Sequence, residues 1–393
     1  MGKIVTILEL IIFFQFFLSI VYLLFFAIVS QKKHELYHRP TKKQHRILVL
    51  FPAYKEDRVI IDSVCSFLNQ DYPTDLYTVA VISDRMKNET DEQLRQHSVI
   101  VLNANYTNST KAAALNLAIN HFGSGSFDIV AILDADNHTQ PDFMTKINDV
   151  YDSGIRAIQA HRTTKGGDAG VAILDSVSEE INNAIFREGH VRLGLSSALI
   201  GSGMAFDYDW FARSISKVST AGEDKELELL LLKEGVFIDY LSDLYVYDQK
   251  TSTSVGYYHQ RRRWIAAQFD LFKRGLPYLP KAISTGNIDY CDKIFQWLIP
   301  PRMLLISIPF LFGSILLFLD WTRSIKWWVA LFMLIMAFSL AMPDELYTKS
   351  FKKALRKLPL LCLLTVINLF RLRGVNKKFI HKKEEEKKDE NSD

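Results

Sequence analysis

The chain has 393 residues, with 47 Lys and Arg against 44 Asp and Glu, for a formal net charge of +3. That length leaves room for more than one domain, and so small a charge gives no case for a nucleic-acid partner. Apolar residues make up 48% of the chain and mean hydropathy is +0.03, high for a soluble protein and concentrated in a few stretches.

The first stretch runs from Ile4 to Val29, with almost nothing polar except Thr6, Glu9, Gln15 and Ser19. It exceeds the ~20 residues that a spanning helix needs. Its length, the single Lys3 before it and the lack of a small-x-small site argue against a cleaved signal peptide. Residues 1–31 are therefore expected to form a transmembrane helix. Lys32, Lys33, Arg39, Lys42, Lys43 and Arg46 follow it, and the positive-inside rule places them, with the large middle region, in the cytoplasm.

From Arg46 the pattern alternates. Ile47 to Phe51 is an apolar run closed by Pro52, and Val59 to Leu68 has helical spacing. Thr78 to Ile82 reads as a second strand ending in Ser83-Asp84, Ser98 to Leu102 as a third, and Lys111 to Asn120 as a helix rich in Ala and Leu. Ile129 to Leu133 is a fourth strand and Ala157 to His161 a fifth. Strands separated by helices of about ten residues predict βαβ units, a mainly parallel sheet and right-handed crossovers. Neither a G-x-G-x-x-G fingerprint nor a P-loop is present, so the common nucleotide-binding motifs gain no support.

Three strand ends carry candidate ligands: Tyr54 and Glu56 after the first, Asp84 after the second, Asp134 and Asp136 after the fourth. In an open α/β sheet, ligands bind beyond the carboxyl ends of the strands. Carboxylates at i and i+2 share one face of a strand and at its end can converge on a hard divalent cation. Each of these residues has a plainer reading as a loop residue or helix cap, a role Asp57 or Asp62 would fill equally well. The coincidence at three strand ends favours a site.

Thr220 and Glu223 have the spacing of a capping box, and Gly235 fits the far end of the same helix. Asp224 then lies in the first turn, either as a general base on a rigid helix start or as a complement to the helix dipole. Gln260, Arg263 and Trp264 fall at i, i+3 and i+4 of a helix expected over about 257–273. There Arg263 can grip phosphate oxygens, while Trp264 offers a flat face to a sugar ring or packs in the core. Arg261 and Arg262 read as a basic surface or lipid head-group contact.

The membrane region is expected over 276–375. Spans are predicted at about 298–319, bent by Pro300, Pro301 and Pro309, and at about 327–342, with a hairpin from Asp320 to Lys326. Leu358 to Phe370 is short, contains Pro359 and reads as an interfacial helix, with a true span as the alternative. The bases Lys349, Lys352, Lys353, Arg356 and Lys357 keep this end cytoplasmic. Residues 376–393 form a charged tail expected to be disordered. Cys65, Cys291 and Cys362 show no pairing or metal-site spacing, which fits a reducing compartment.

Taken in order, these features resemble the membrane-bound family 2 glycosyltransferases, the group of the cellulose, chitin, hyaluronan and poly-N-acetylglucosamine synthases. The matching residues are Pro52-Ala-Tyr-Lys-Glu56, Asp84, Lys111-Ala-Ala-Ala-Leu-Asn116, Asp134-Ala-Asp136, Gly222-Glu-Asp224 and Gln260-x-x-Arg263-Trp264. The order and spacing fit from about residue 46 to 275. The resemblance implies a GT-A fold over about 44–275. It also implies a donor site in which Tyr54, Glu56 and Asp84 hold the nucleoside of a UDP-sugar and Lys111 and Arg263 its diphosphate. Asp136, helped by Asp134, would bind Mg²⁺ or Mn²⁺, and Asp224 would be the base of an inverting transfer. Where cellulose synthases carry an F-F-C-G-S-type motif, this chain has Ala198-Leu-Ile-Gly-Ser-Gly-Met-Ala205. Gly201, Ser202 and Gly203, with Glu223, Gln260 and Trp264, are the candidate acceptor residues. The implied acceptor is a growing saccharide or a lipid-linked one at the inner face of a bacterial inner membrane, in contact with membrane lipids. A translocating channel normally has more spans than are counted here unless chains associate, so a homo-oligomer and a transferase adding a single sugar stay open. A catalytically silent scaffold is the reading from another class.

Overall fold

The computed structural model describes residues 2–32, 40–164, 171–218, 220, 222–248 and 268–357. The strands are β1 (Ile47–Tyr54), β2 (Tyr77–Asp84), β3 (Val99–Ala104), β4 (Ile129–Ile132), β5 (His138–Thr139), β6 (Ala157–Thr164), β7 (Met204–Asp207) and β8 (Ile238–Asp248). They form one sheet in the order β3-β2-β1-β4-β7-β6-β8-β5. The first four are mutually parallel. β7 runs antiparallel to β4 and β6, whereas β6 and β8 are parallel again. The expected mainly parallel, Rossmann-like sheet is present.

Side chains alternate across this sheet as the two-residue period of a strand requires. Ile47, Val49 and Phe51 pack with Phe67 and Phe143 on one face. Leu48 and Leu50 pack with Leu115, Phe206 and Leu227 on the other. Both faces are covered, which is why β1 and β4 read as unbroken apolar runs. The sheet departs from the sequence reading at Pro52, which does not close β1. The strand continues to Tyr54 because β4 stops at Ile132, opposite Leu50. Beyond that point β1 has a neighbour on one side only and tolerates a residue without an N–H.

Among the described residues, three helices are long and apolar enough to cross a membrane: Gly2–Val29, Arg302–Leu319 and Trp321–Ala341. Two expectations about them need correction. Pro300 and Pro301 lie outside the second helix, with Pro301 as its N-cap and only Pro309 inside. They separate it from the preceding helix Ile288–Leu298, because the residue before a proline is pushed out of the helical region. The expected loop from Asp320 to Lys326 is helical from Trp321, since the Asp320 side chain accepts from Arg323 N at 3.3 Å and caps the third helix. The first and third helices are tied at both ends. Trp327 Nε1 donates to Glu9 Oε1 at 2.6 Å and Lys326 pairs with Glu9 Oε2 at 2.8 Å. At the other end Gln31 Nε2 donates to Leu340 O at 2.7 Å. Buried Ala27, Ala330 and Ala337 between them permit close approach. The predicted interfacial helix at 358–370 and the tail at 376–393 lie outside the described residues.

The sheet domain meets these apolar helices through the helix Val171–Asn182 and the π-helical segment Asn183–Glu188 that prolongs it. Gly189 follows, and a Cβ there would stand 2.7 Å from the carbonyl oxygen of Phe26 in the first helix. A backbone atom cannot yield as a side-chain tip would. Gly189→Ala is therefore expected to destabilise the protein by about 1–3 kcal/mol, read as a lowered denaturation midpoint of the detergent-solubilised chain. An unchanged midpoint would contradict this packing.

Candidate active site

The site grows from the carboxyl ends of β1, β2 and β4. At β4 the chain turns through Asp134-Ala-Asp136-Asn137. Asn137 Oδ1 accepts the Asp134 N–H at 2.9 Å, and Ser202 Oγ donates to the same oxygen. This fixes the carboxylate loop against the glycine loop that precedes β7. Gly201 and Gly203 have φ of +84° and +65°, a region open to glycine at little cost. At Gly203 a Cβ would also come within 2.9 Å of Val246 Cγ2. The buried amide of Gln159 braces the loop, donating to Ser202 O at 2.9 Å and accepting from Ile200 N at 3.0 Å.

Lys111 joins the pieces. It is the first residue of the helix Lys111–Phe122, whose N-cap Thr110 accepts from Ala113 N. A cation there opposes the helix dipole, so its charge must be met by other groups. Lys111 Nζ bonds Asp134 and also donates to Gly201 O at 2.6 Å, with Glu223 Oε1 at 3.8 Å. Burial pulls its pKa down, but Asp134, Glu223 and Asp224 more than offset that and hold the ammonium above its ordinary value.

Glu223 and Asp224 open the helix Glu223–Lys233. A Cβ on Gly201 would lie 3.7 Å from Glu223 Oε1 and 3.8 Å from Asp224 Oδ2, so both carboxylates border the glycine loop. The capping box expected from Thr220 is absent: the N-cap is Gly222, and the Thr220 N–H is taken by Glu226 Oε1 at 2.9 Å. Glu223 and Asp224 are therefore the first two helical positions. Burial, opposed by Lys111, pushes the Glu223 carboxyl up to about 7. Burial also raises Asp224, against the nearby charges of Lys225 and Lys111. A raised carboxylate is the kind of group that takes up a proton near neutral pH.

Asp136 sits across the loop, where burial and the hydrogen-bonded carboxyl of Asp248 raise it to about 8. Asp248, the last residue of β8, is paired with Arg162 of β6. Among the described residues, no group of three or more His, Cys, Asp or Glu is arranged to hold a metal ion. The hydrogen-bonded carboxyls of Asp136 and Asp248 beside Asp134 are nonetheless hard oxygen donors, a donor set that suits Mg²⁺ or Mn²⁺ with phosphate oxygens completing the shell.

At the far side, Tyr54 and Asp84 are register partners at the ends of β1 and β2. Asp84 is buried, and its Oδ1 has no hydrogen-bond partner. Arg85 Nη1 donates to Tyr54 OH at 3.3 Å, and its guanidinium lies 5.7 Å from the Tyr54 ring centroid. Lys55 and Arg85 both have positive φ, +54° and +56°, backbone strain of the kind that gathers at functional sites. Glu56 is exposed, and its carbonyl accepts from Val59 N and Ile60 N. Asp57 has a structural task, accepting from Lys87 N and Thr90 Oγ1 at 2.8 Å each.

The structure thus brings Lys111, Asp134, Gly201, Ser202, Glu223 and Asp224 together, with Gly203 and Asp136 adjoining and Tyr54 and Asp84 at the next strand ends. Gln260, Arg263 and Trp264 lie outside the described residues. Sequence reasoning passes over Arg85, Asn137, Arg162 and Asp248. The available signals were Arg85 directly after a strand-ending Asp, Asn137 directly after the paired carboxylates, and Asp248 closing a strand that polar residues disguise.

A model of the family described as Glycosyltransferase like family 2 matches residues 45–267. An N-acetylglucosaminyltransferase of Rhizobium meliloti (strain 1021) is 25% identical over 252 residues, covering 59% of this chain and 57% of the relative. The "Probable glucomannan 4-beta-mannosyltransferase 1" of Arabidopsis thaliana is 22% identical over 292 residues, covering 68% and 52%. The chain therefore spans little more than half the length of these relatives. Among solved structures, the mannosyltransferase PcManGT from Pyrobaculum calidifontis, in complex with GDP-Man and Mn²⁺, superimposes with a TM-score of 0.52 at 17% identity, over 82% of this chain and 94% of that one. That likeness shows a GT-A-like fold. Because the family model covers more than half of the chain, the protein belongs to glycosyltransferase family 2.

Proposed function

We propose that the chain is an inverting transferase that moves a sugar from a UDP-sugar to a saccharide or lipid-linked hydroxyl. The observation that carries this reading is Lys111, whose ammonium binds Asp134 and the Gly201 carbonyl beside Glu223 and Asp224. The diphosphate-side cation, the paired carboxylates and the base are thereby gathered around one glycine loop.

Each residue has work suited to its type. Asp224 accepts the acceptor hydroxyl proton as that oxygen attacks the anomeric carbon. The bond to the nucleotide breaks on the opposite face, so an α-linked donor gives a β-linked product. Lys111, with Arg263, balances the negative charge gathering on the departing diphosphate. Tyr54, Glu56 and Asp84 hold the nucleoside, and the free Oδ1 of Asp84 supplies an acceptor for a base N–H. Gly201, Ser202, Gly203 and Glu223 line the acceptor's approach, and Gln260 and Trp264 are assigned to the same acceptor from the sequence. Asp134 and Asp136 would hold Mg²⁺ or Mn²⁺, which when bound supplies further positive charge to the leaving diphosphate. The relatives' names direct the first donors to test, UDP-N-acetylglucosamine and GDP-mannose.

In this reading residues 44–275 are the transferase domain, and 1–31 with 276–375 anchor it to the cytoplasmic face of a bacterial inner membrane. The base-rich segments beside the candidate spans support that orientation. Whether one sugar is added or a chain is extended follows from product length.

Three outcomes are expected. Asp224→Asn should lower transfer by roughly 10²–10⁴-fold while nucleotide affinity stays within about twofold. Retained turnover would remove Asp224 from its role. Because burial raises Asp224 and only the ionised form is a base, wild-type kcat should rise with pH through a limb lying above the ordinary carboxylate range. Asp136→Ala should weaken UDP binding by about tenfold or more in the presence of Mn²⁺ and leave it unchanged in EDTA, as titration calorimetry would show. Equal affinities in both conditions would count against the metal assignment.

A further inference from the structure

Behind Asp224 a line of polar groups, part-buried at Lys225 and buried at Glu228, Lys293 and Gln296, runs to the first apolar helix. Lys225 Nζ donates to the carbonyl of Leu199, two residues before Gly201, and pairs with Glu228 Oε2 at 3.0 Å. Glu228 is fully buried and is held from the other side by Lys293 of the Ile288–Leu298 helix. Lys293 Nζ donates to Gln296 Oε1 at 2.6 Å, and Gln296 Nε2 donates to Asp292 Oδ2 at 2.7 Å. Asp292 accepts from Tyr22 OH at 2.7 Å, and Tyr22 lies in the Gly2–Val29 helix.

Desolvating Lys293 and Glu228 is costly, and an apolar cluster of the same volume would serve stability as well or better. What an apolar cluster could not do is bind the Leu199 carbonyl and fix the register of three elements at once. We propose that Lys225 is a positioning residue for the transfer: it ties the acceptor loop to the helix that carries Asp224. The buried Glu228–Lys293 pair behind it links that fixed point to the membrane anchor at Tyr22. This rests on Asp224 as the base. The charged groups facing Asp224 are Glu223, Lys225 and Glu228 from its own helix and Lys111 from the helix that follows β3. Lys225 is the cation that acts most strongly to keep the carboxylate ionised. Its loss should therefore raise the pH at which the base becomes active.

The test uses the full chain in lipid nanodiscs and follows UDP release from UDP-N-acetylglucosamine, with N-acetylglucosamine oligomers as the acceptor probe. Lys225→Met is expected to lower kcat ~10–100-fold, raise acceptor KM and move the acid limb of the kcat profile to higher pH. The Kd for UDP should stay within about twofold, which also shows that the variant is folded. Lys225→Arg should restore much of kcat, and Tyr22→Phe should lower kcat several-fold without changing UDP affinity. Wild-type kcat and an unmoved acid limb in Lys225→Met would overturn the proposal, as would a parallel loss of UDP binding, the mark of a general structural role. Wild-type kinetics in Tyr22→Phe would overturn the link to the membrane. Asp224→Asn run alongside separates the two ideas, since turnover in that variant refutes the base whatever Lys225→Met does.

Discussion

The arrangement depends on one buried ammonium. Lys111 stands at the positive end of its own helix, where its charge is unwelcome, and it is tolerated because Asp134, Glu223 and Asp224 surround it. The reverse also holds, since three carboxylates so close together would repel one another without a cation between them. Neither side of this balance is stable alone. The end of β4, the glycine loop and the first turn of Glu223–Lys233 must therefore fold against each other. Mutual need of this kind sets positions closely, as transfer chemistry requires.

The same principle repeats outward. Arg162 offsets Asp248 beside Asp136, and Glu228 is held between Lys225 and Lys293. Farther out, Glu9 answers Lys326 between two apolar helices. Charges buried in pairs contribute little net stability but penalise misaligned packing strongly, because breaking a pair strands an ion away from water. A sheet domain resting on an apolar anchor could slide if contacts were only greasy. The Glu228–Lys293 pair, continued through Gln296 and Asp292 to Tyr22, gives it one register.

Much of this was legible in the sequence, for identifiable reasons. Strands β1, β2 and β4 are covered on both faces and so announce themselves as apolar runs. Asp84, Asp134 and Asp136 stood out because polar residues end those runs abruptly. Helix Lys111–Phe122 and the first apolar span were read almost to their ends. The second half of the sheet was harder. β7 has four residues, β5 has two, and β8 carries Asp239, Ser242 and Asp243 along its length. Its register shift against β6, between Ala160 and His161, breaks the two-residue period. Asp248 and Arg162 were overlooked for that reason. At the displaced N-cap Gly222, Glu226 rather than Glu223 takes a backbone N–H at the helix start, from Thr220, a spacing that the capping-box pattern does not describe. Pro300 and Pro301 were placed within a helix because apolar composition alone does not show where a helix starts.

The most direct test of the account is nucleotide release by the detergent-purified chain from a panel that includes UDP-N-acetylglucosamine, UDP-glucose and GDP-mannose, with Mn²⁺, with Mg²⁺ and in EDTA. Metal-dependent release from a UDP-sugar is expected, with a β-linked product by NMR. Release that ignores EDTA, or a product that keeps the α configuration of the donor, would contradict it.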